Sequence, residues 1–219
     1  MDRRAADGRS LGIFAKAPIA GRVKTRLARD IGPAAAAALY RRLGRQVVAG
    51  TVGPGYRTTV WFTPPSGSHA VRAWLDGLGA AAFYPQAGGN LGSRLVHAFG
   101  RSFADGNDAV VIIGTDAPGV NRRTVTAAFR TLRVHDVVLG PSLDGGYYLI
   151  GLSAPHPALF RSIPWSTQDV LRATQAQAQA LGLSFRLLAP LRDVDSVADA
   201  IALGLLPRLG RPTIDRTSG

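Results

Sequence analysis

The apolar residues of this chain fall into short continuous runs, and most of these runs are separated by longer stretches with helical periodicity. The runs predict strands at residues 11–15, 58–63, 110–114, 136–140, 147–152 and 184–188. The periodic stretches predict helices at residues 33–49, 91–103, 121–132 and 167–181. Alternation of this kind is typical of an α/β fold. We therefore predict a three-layer sandwich, with a mostly parallel sheet and helices on both faces.

The length of the chain predicts a single domain. Its 219 residues, 46% of them apolar, can fill one core, which we place at residues 11–206. Residues 1–10 and 207–219 are polar or rich in Pro, Gly and Arg, and we expect them to be flexible ends. No apolar run is long enough to span a membrane, and the first ten residues lack the apolar core of a signal peptide. We expect a cytoplasmic protein without a membrane partner.

The charge of the chain indicates an anionic ligand. The formal net charge is +12, but the arginines are scattered and form no basic run with interleaved aromatic residues. This distribution is not typical of a nucleic-acid surface, so we do not expect a nucleic-acid partner. The chain has no Glu, and its only lysines, Lys16 and Lys24, lie in one short segment. A phosphorylated small molecule fits this pattern better.

The segment at residues 14–27, directly after the first predicted strand, is the first candidate site. Lys16, Arg22, Lys24 and Arg26 supply positive charge there, and Gly21 permits close approach of the backbone to a ligand. The spacing is that of neither a P-loop nor a dinucleotide fingerprint. We predict a site for a nucleotide di- or triphosphate, with a solvated basic loop as the alternative.

Asp116 is the candidate metal ligand. It follows the predicted strand at residues 110–114, where ligands bind in open α/β sheets. A carboxylate at this edge can hold a hard cation that bridges phosphate oxygens, and Mg²⁺ or Mn²⁺ is the expected metal. Alternatively, Asp116 shapes the turn before Pro118 or caps the helix near Asn121.

A turn rich in glycine precedes the predicted strand at residues 147–152. Gly145 and Gly146 would let a ligand lie against the backbone, and Asp144 projects a charge at the same place. An Asp-Gly hairpin turn would explain the same residues. The two interpretations are compatible, and both remain open.

Two aspartates near the end of the core supply a second candidate metal ligand. If Asp193 and Asp195 are extended, their spacing of two places both carboxylates on one face. We expect Asp195 to complete the metal site. Ser196 with Asp199 resembles a helix N-cap, which makes part of this segment structural.

Gln86 is the candidate for contact with the nucleotide base, because Gly88 and Gly89 beside it allow close approach. Trp165 could stack on an acceptor. The structural alternatives are a turn that leads to Asn90 as a helix N-cap and a Ser166 cap before another helix.

Together these segments resemble one family over residues 11–203. It is the glycosyltransferase-A-like family of bacterial proteins, which is related to molybdenum-cofactor nucleotidyltransferases. The segments that carry the resemblance, in the same order, are residues 14–27, 114–118, 139–152, 163–170 and 193–196. The resemblance implies the nucleotide-diphospho-sugar transferase fold, with Asp116 as the metal-binding residue at the end of the central strand. Asn90 departs from the family pattern, where an Asp is expected, and Ser196 replaces a Thr.

The run Lys24-Thr25-Arg26-Leu27 is also similar to the first loop of phospholactate guanylyltransferases. Two enzymatic functions are therefore expected as alternatives. The first is a metal-dependent glycosyltransferase-like enzyme that transfers a sugar from a nucleotide sugar to an unidentified acceptor, with Asp144 as catalytic base. The second is a nucleotidyltransferase that joins an NTP-derived nucleotide to a phosphorylated acceptor and releases pyrophosphate. A non-catalytic nucleotide- or nucleic-acid-binding protein is the alternative from another class.

Overall fold

The strands form one seven-stranded sheet in the computed structural model, which describes residues 8–207. They are β1 (Arg9–Lys16), β2 (Arg57–Thr63), β3 (Ala82–Pro85), β4 (Ala109–Ile113), β5 (Val137–Pro141), β6 (Tyr147–Leu152) and β7 (Phe185–Leu187). Their order across the sheet is β3-β2-β1-β4-β6-β5-β7. Strand β6 runs antiparallel to β4 and β5, and the other neighbouring strands are parallel. The sheet is therefore mostly parallel, as predicted.

The described residues form seven α-helices, which cover both faces of the sheet. They are α1 (Thr25–Ile31), α2 (Pro33–Thr51), α3 (Ser68–Leu75), α4 (Leu91–Ala104), α5 (Arg122–Thr131), α6 (Val170–Ala180) and α7 (Val197–Ala202). On one face, α2, α3 and α5 pack through Val47, Trp74 and Phe129. On the other face, α4 and α6 pack through Leu95 and Ala178. The three-layer α/β sandwich is confirmed, and none of these helices is long and apolar enough to cross a membrane.

The central strand β4 shows why the sequence revealed the sheet. Val111 and Ile113 belong to one core, and Val110 and Ile112 belong to the other. Successive side chains of a strand point to opposite faces, so a strand that is covered on both faces is a continuous apolar run. The apolar run in the sequence is unbroken because both faces of β4 are buried.

A third, smaller core holds α1 and α7 against α2. Leu27, Leu43 and Ala200 lie in it together with Val194, and all four residues are fully buried. Leu27 and Val194 are close in sequence to Lys24, Asp193 and Asp195. This core therefore fixes the two segments that carry several of the predicted site residues.

Five elements differ from the sequence-based prediction. Strand β3 and helix α3 were not predicted, and only the N-cap of α7 at Ser196 was, because segments of four to eight residues are too short for a clear periodic signal. Helix α1 begins inside the segment that we treated as a loop. Strand β1 begins at Arg9, so residues 9 and 10 belong to the sheet and not to a flexible end. Of the predicted ends, residues 1–7 and 208–219 lie outside the described residues.

Two glycines of α2 allow a test of the packing between α2 and α3. A Cβ atom on Gly44 would lie 2.2 Å from the Trp74 ring, whereas the nearest atom to a Cβ on Gly50 is 4.0 Å away. We expect Gly44→Ala to lower the free energy of unfolding by about 1–3 kcal/mol through overpacking. Gly50→Ala is the matched control and should raise it by about 0.5–1 kcal/mol, because Ala favours the helix. Urea unfolding measures both, and a stable Gly44→Ala variant would contradict the tight packing.

Candidate functional site

The candidate site lies beyond the carboxyl ends of β1 and β4, the two parallel strands at the centre of the sheet. Lys16 is the last residue of β1, and Asp116 follows the end of β4 by three residues. Val194 N–H donates a hydrogen bond of 3.0 Å to the backbone oxygen of Asp116, which brings the segment after β7 to the same place. The structure therefore brings Lys16, Asp116 and Asp195 to one edge of the sheet.

Lys24 forms ion pairs with both predicted metal ligands. Its Nζ lies 2.8 Å from Oδ1 of Asp116 and 2.8 Å from Oδ1 of Asp195. The Lys24 side chain is 6% exposed, whereas the two aspartate side chains are 43% and 45% exposed. Burial lowers the pKa of Lys24, but the two carboxylates raise the pKa by more, so its net shift is upward from the ordinary value. The ammonium therefore stays charged.

The backbone of Lys24 is in the left-handed conformation, with φ 47° and ψ 48°. This conformation costs a non-glycine residue about 1–2 kcal/mol. Lys24 is the N-cap residue of α1, and its backbone oxygen accepts the first hydrogen bond of the helix, from Ala28 N–H. Because Leu27 anchors α1 in the small core, the helix start and the ion pairs together hold Lys24 in place.

Tyr40 is a site residue that the sequence did not reveal. Its hydroxyl oxygen accepts a hydrogen bond of 3.0 Å from the backbone N–H of Lys16 and forms a second, also 3.0 Å, with the Thr115 hydroxyl. Burial, and then the charge of Asp116, raises the pKa of Tyr40 to about 12, so the phenol stays protonated. Tyr40 thereby ties the end of β1 to the end of β4. Its position on the buried face of α2 gives no local signal of this role.

The four predicted cations surround one cavity of about 240 Å³, which we call the phosphate cavity. Its lining includes Lys16, Arg22, Lys24, Arg26, Tyr40, Asp116 and Asp195. The three residues Lys16, Arg22 and Arg26 are exposed, so their charges are available to a ligand. The predicted basic cluster is thus present in the structure, arranged around the two carboxylates.

A second cavity of about 560 Å³, which we call the acceptor cavity, adjoins the phosphate cavity. The two cavities share Arg26 and Asp195 in their linings. The acceptor cavity is also lined by two aromatic residues, by three neighbouring polar residues and by two further carboxylates: Tyr147, Trp165, Ser166, Thr167, Gln168, Asp144 and Asp193. Aromatic rings beside carboxylates and hydroxyls suit a hydroxylated ligand such as a sugar.

The turn between β5 and β6 is compatible with both interpretations of Asp144. Its Oδ1 accepts a hydrogen bond of 3.0 Å from Gly146 N–H, so the carboxylate helps to close the turn, and it also lines the acceptor cavity. Gly146 lines the same cavity. Gly145 has a different role from the one predicted. Its φ is +90° and an added Cβ would lie 2.0 Å from the backbone oxygen of Gln168, so the absence of a side chain serves packing.

Gln86 and Gly21 line neither cavity. Gln86 is buried, its Nε2 donates to the backbone oxygen of Trp61 at 2.9 Å, and its Oε1 accepts from Arg94 at 3.5 Å. These bonds give Gln86 a structural role between the end of β3 and the neighbouring strand β2 in place of free contact with a ligand. Gly21 lies in the turn before Arg22, with φ +76°. Asn90 and Ser196 are N-caps of α4 and α7, as the structural alternatives stated.

Asp193 has more features of a functional group than the sequence indicated. Its Oδ2 accepts a hydrogen bond of 3.0 Å from the Ser142 hydroxyl, and its Oδ1 is buried without a hydrogen-bond partner among the described residues. Burial, and then the charge of Asp116, raises its pKa to about 7. The spacing of two residues indicated that Asp193 and Asp195 lie on one face. It could not show that Asp193 is more buried than Asp195.

The carboxylates of Asp116 and Asp195 fit a divalent cation that also has ligands from elsewhere. Both Oδ1 atoms converge on the same ammonium, so both can approach one cation. Among residues 8–207 no group of three or more His, Cys, Asp or Glu side chains is arranged for a metal ion. Mg²⁺ is commonly bound by one or two carboxylates together with substrate phosphates and water. The donor set fits that kind of shared site.

Comparison with known proteins identifies the family. Residues 47–167 match the family described as uncharacterized protein conserved in bacteria (DUF2064). The chain belongs to this family. A search of curated proteins gave no match. Among solved structures, a proposed nucleotide-diphospho-sugar transferase from Desulfovibrio desulfuricans G20 is 32% identical, covers 97% of this chain and 92% of its own, and has a TM-score of 0.84.

Two further structures share the fold at lower identity. The CMP:2-keto-3-deoxy-manno-octonic acid synthetase, solved with CTP, is 14% identical, with coverage of 90% of this chain and 99% of its own and a TM-score of 0.55. The 4-diphosphocytidyl-2C-methyl-D-erythritol synthase of Anaerococcus prevotii is 7% identical, with coverage of 90% and 97% and a TM-score of 0.55. The comparisons confirm the predicted family and fold and, with them, the predicted class, a transferase.

The raised pKa of Asp193 predicts how stability depends on pH. The carboxyl has a pKa near 3.9 in the unfolded chain and about 7 when folded, so the folded state binds its proton more tightly. The resulting penalty is absent below pH 4, grows as the pH rises and is complete above pH 7. We expect Asp193→Asn to become progressively more stable than the wild type between pH 4 and 7. Urea unfolding with a chelator present measures the difference, and parallel pH profiles would contradict the assignment.

Proposed function

We propose that this protein is a metal-dependent glycosyltransferase that binds a nucleotide sugar across the two cavities. The observation that carries the proposal is the pair of carboxylates at Asp116 and Asp195. Both line the cavity that holds four cations, and Asp195 also lines the cavity that holds aromatic rings and further carboxylates. The diphosphate of the donor would occupy the phosphate cavity. The sugar and the acceptor hydroxyl would occupy the acceptor cavity.

The phosphate cavity supports the departure of a nucleoside diphosphate. Lys16, Arg22 and Arg26 are exposed on its lining and carry charges that oppose the negative charge of the leaving group. Preorganised positive groups stabilise charge that develops in the transition state without reorganisation of solvent. Lys24 adds a fourth charge from a buried position, where its ion pairs fix the direction of the ammonium.

Asp116 and Asp195 are the residues that would hold Mg²⁺ or Mn²⁺. Such an ion, when bound, supplies Lewis-acid stabilisation to phosphate oxygens. The two carboxylates project from different loops toward one point, and their partial exposure leaves them open to a cation from the cavity side. Lys24 keeps the carboxylates from moving apart, because its ammonium attracts both.

The acceptor cavity supports the chemistry at the sugar carbon. The acceptor oxygen forms a bond to this carbon as the bond to the diphosphate oxygen breaks, and the acceptor proton must pass to a base. Asp144 lines the cavity, and one of its oxygens remains free of hydrogen bonds among the described residues, so it can take this proton. Tyr147 and Trp165 offer apolar ring surface to the sugar or acceptor.

A nucleotidyltransferase is the second candidate, and the number of cations is compatible with it. Four positive side chains around one cavity suit the three phosphates of an NTP as well as two. In this reaction an oxygen of a phosphorylated acceptor attacks the α-phosphorus, and pyrophosphate leaves. The similarity of Lys24-Thr25-Arg26-Leu27 to guanylyltransferases supports it, as does the shared fold of the synthetase solved with CTP.

The contribution of Lys24 can be tested through ligand binding. We expect Lys24→Ala to weaken binding of nucleoside di- and triphosphates about tenfold or more, because a charge-assisted contact contributes roughly 1.5–3 kcal/mol. Binding of nucleosides should change little. Arg29→Ala is the control, because Arg29 is an exposed cation of α1, the helix that Lys24 caps, and lines neither cavity. Isothermal titration calorimetry measures each affinity, and equal losses for nucleosides and nucleotides would place Lys24 outside the phosphate site.

The donor can be identified by thermal stabilisation. We expect nucleotide sugars to raise the melting temperature only when Mg²⁺ or Mn²⁺ is present. A ligand at a hundredfold excess over Kd stabilises the native state by about 2.7 kcal/mol, which sets the size of the expected shift. Asp116→Asn should fold but lose the metal-dependent part of the shift. A larger shift with a nucleotide sugar than with its parent diphosphate supports glycosyl transfer.

The other outcomes of the same panel separate the remaining candidates. A preference for a triphosphate, followed by pyrophosphate release with a phosphorylated acceptor, would support nucleotidyl transfer. If no nucleotide shifts the melting temperature with either metal, both enzymatic proposals fail. Nucleic-acid binding that falls steeply with salt would then favour the non-catalytic alternative.

A further inference from the structure

A third cavity lies on the side of the molecule away from the candidate site. We call it the amino-end cavity, because it is lined by the first residues of β1, β2 and β3, with a volume of about 450 Å³. Ser10 lies near the start of β1 and Lys16 at its end, and at about 3.3 Å per residue these positions are roughly 20 Å apart. The amino-end cavity is therefore separate from the phosphate and acceptor cavities.

The floor of the amino-end cavity is one face of the sheet. Ser10, Thr59, Trp61 and Tyr84 line it, and they alternate along their strands with residues that face the opposite core. The wall is the last turn of α4 and the loop that follows it, including Arg101. Rigid strands thus present two hydroxyl groups and two aromatic rings to the same space.

The floor carries hydrogen-bond donors that have no protein partner. The side chains of Ser10 and Thr59 belong to buried residues, yet neither hydroxyl makes a hydrogen bond among residues 8–207. The indole Nε1 of Trp61 is also buried without a partner there. Polar groups in a folded interior normally have partners, so unsatisfied groups that line one cavity point to a polar ligand.

The charges around the amino-end cavity favour an anion. Arg57 lines the cavity, is exposed, and forms no ion pair or hydrogen bond through its guanidinium in the described part of the chain. Arg101 and Asp105 neutralise each other, with Nε and Oδ1 3.0 Å apart. The side chains of the lining therefore leave one unpaired positive charge, on the β2 side. The wall formed by the carbonyl end of α4 disfavours an anion, because that end of a helix carries partial negative charge. We therefore place the anion at the other side of the cavity, beside Arg57.

We propose that the amino-end cavity binds the phosphate group of a small molecule, held by Arg57 and by the hydroxyls of Ser10 and Thr59. Three donors from two strands match the terminal oxygens of one phosphate. The Tyr84 ring, which the Arg101 guanidinium covers at 5.2 Å from the ring centre, bounds the space left for the rest of the ligand. This site goes beyond the proposed transferase function, because it contains none of the residues assigned to the donor or acceptor.

The three tryptophans of the chain allow a local test by NMR of their indole N–H groups. Trp61 lies in the amino-end cavity, Trp165 lines the acceptor cavity, and the Trp74 N–H donates to the backbone oxygen of Arg41 at 3.0 Å and serves as reference. Titration with glycerol 3-phosphate should shift the Trp61 signal saturably. Tighter binding of glycerol 3-phosphate than of inorganic phosphate identifies a phosphomonoester as the ligand, and equal binding identifies free phosphate.

Two variants and a control assign the response to the proposed residues. Arg57→Gln should weaken the binding seen at Trp61 about tenfold or more. Thr59→Val, which keeps the side-chain shape suited to a strand, should weaken it severalfold. Arg186→Gln is the matched control, because Arg186 is an exposed arginine of β7 without an ion pair among the described residues, and it should bind as the wild type does.

The proposal is overturned if the Trp61 signal does not move while that of Trp165 does, since phosphate would then bind at the candidate site alone. An equal response to acetate would overturn the assignment to phosphate. Equal losses in Arg57→Gln and Arg186→Gln would show a general effect of net charge. None of these outcomes depends on transferase activity, so the proposed function and this inference can fail separately.

Discussion

The ammonium of Lys24 between two carboxylates is the interaction on which the candidate site depends. Asp195 lies 171 residues after Lys24 in the sequence, and Asp116 comes from a third segment, so no local structure holds the three together. Two carboxylates that point at one place repel each other. The positive charge of Lys24 between them attracts both and outweighs this repulsion. Burial of the ammonium is costly by itself, but the paired charges offset that cost, which explains why a buried lysine remains charged.

This arrangement would couple binding of the proposed metal to binding of the proposed phosphate ligand. Asp116, Asp195 and Lys24 together carry one net negative charge, which attracts a cation. A divalent cation at the carboxylates would also face the ammonium, and the two positive groups repel each other. Phosphate oxygens reduce this repulsion, since they bring negative charge to the same cavity, where Lys16, Arg22 and Arg26 can also reach them. The proposed metal and the proposed phosphate ligand therefore support each other's binding.

Sequence patterns predicted the sheet better than the site. Strands such as β4 are continuous apolar runs because both of their faces are covered, and the chemistry at their ends, Lys16 and Asp116, follows from the fold class. Tyr40 could not be found in this way, because its hydrogen bonds to Lys16 and Thr115 join segments far apart in sequence. The prediction that Gln86 contacts the nucleotide base missed a similar long-range contact. The side-chain amide of Gln86 donates its hydrogen bond to the backbone oxygen of Trp61, which is distant in sequence but close in space.

The boundary between the phosphate and acceptor cavities bears on the choice between the two transfer reactions. Arg26 and Asp195 line both cavities, so a bound ligand that fills both would contact a cation and a carboxylate where the cavities meet. In glycosyl transfer the bond that breaks joins the sugar to the diphosphate, and it would lie at this boundary, beside the charge that develops on the leaving oxygen. In nucleotidyl transfer the reacting α-phosphorus would lie there, and Asp195 would face the incoming phosphate of the acceptor. A carboxylate repels that phosphate unless a cation stands between them, whereas a sugar hydroxyl can donate a hydrogen bond to it directly. The position of Asp195 therefore supports the proposed glycosyl transfer, and the second reaction would depend more strictly on a bound metal.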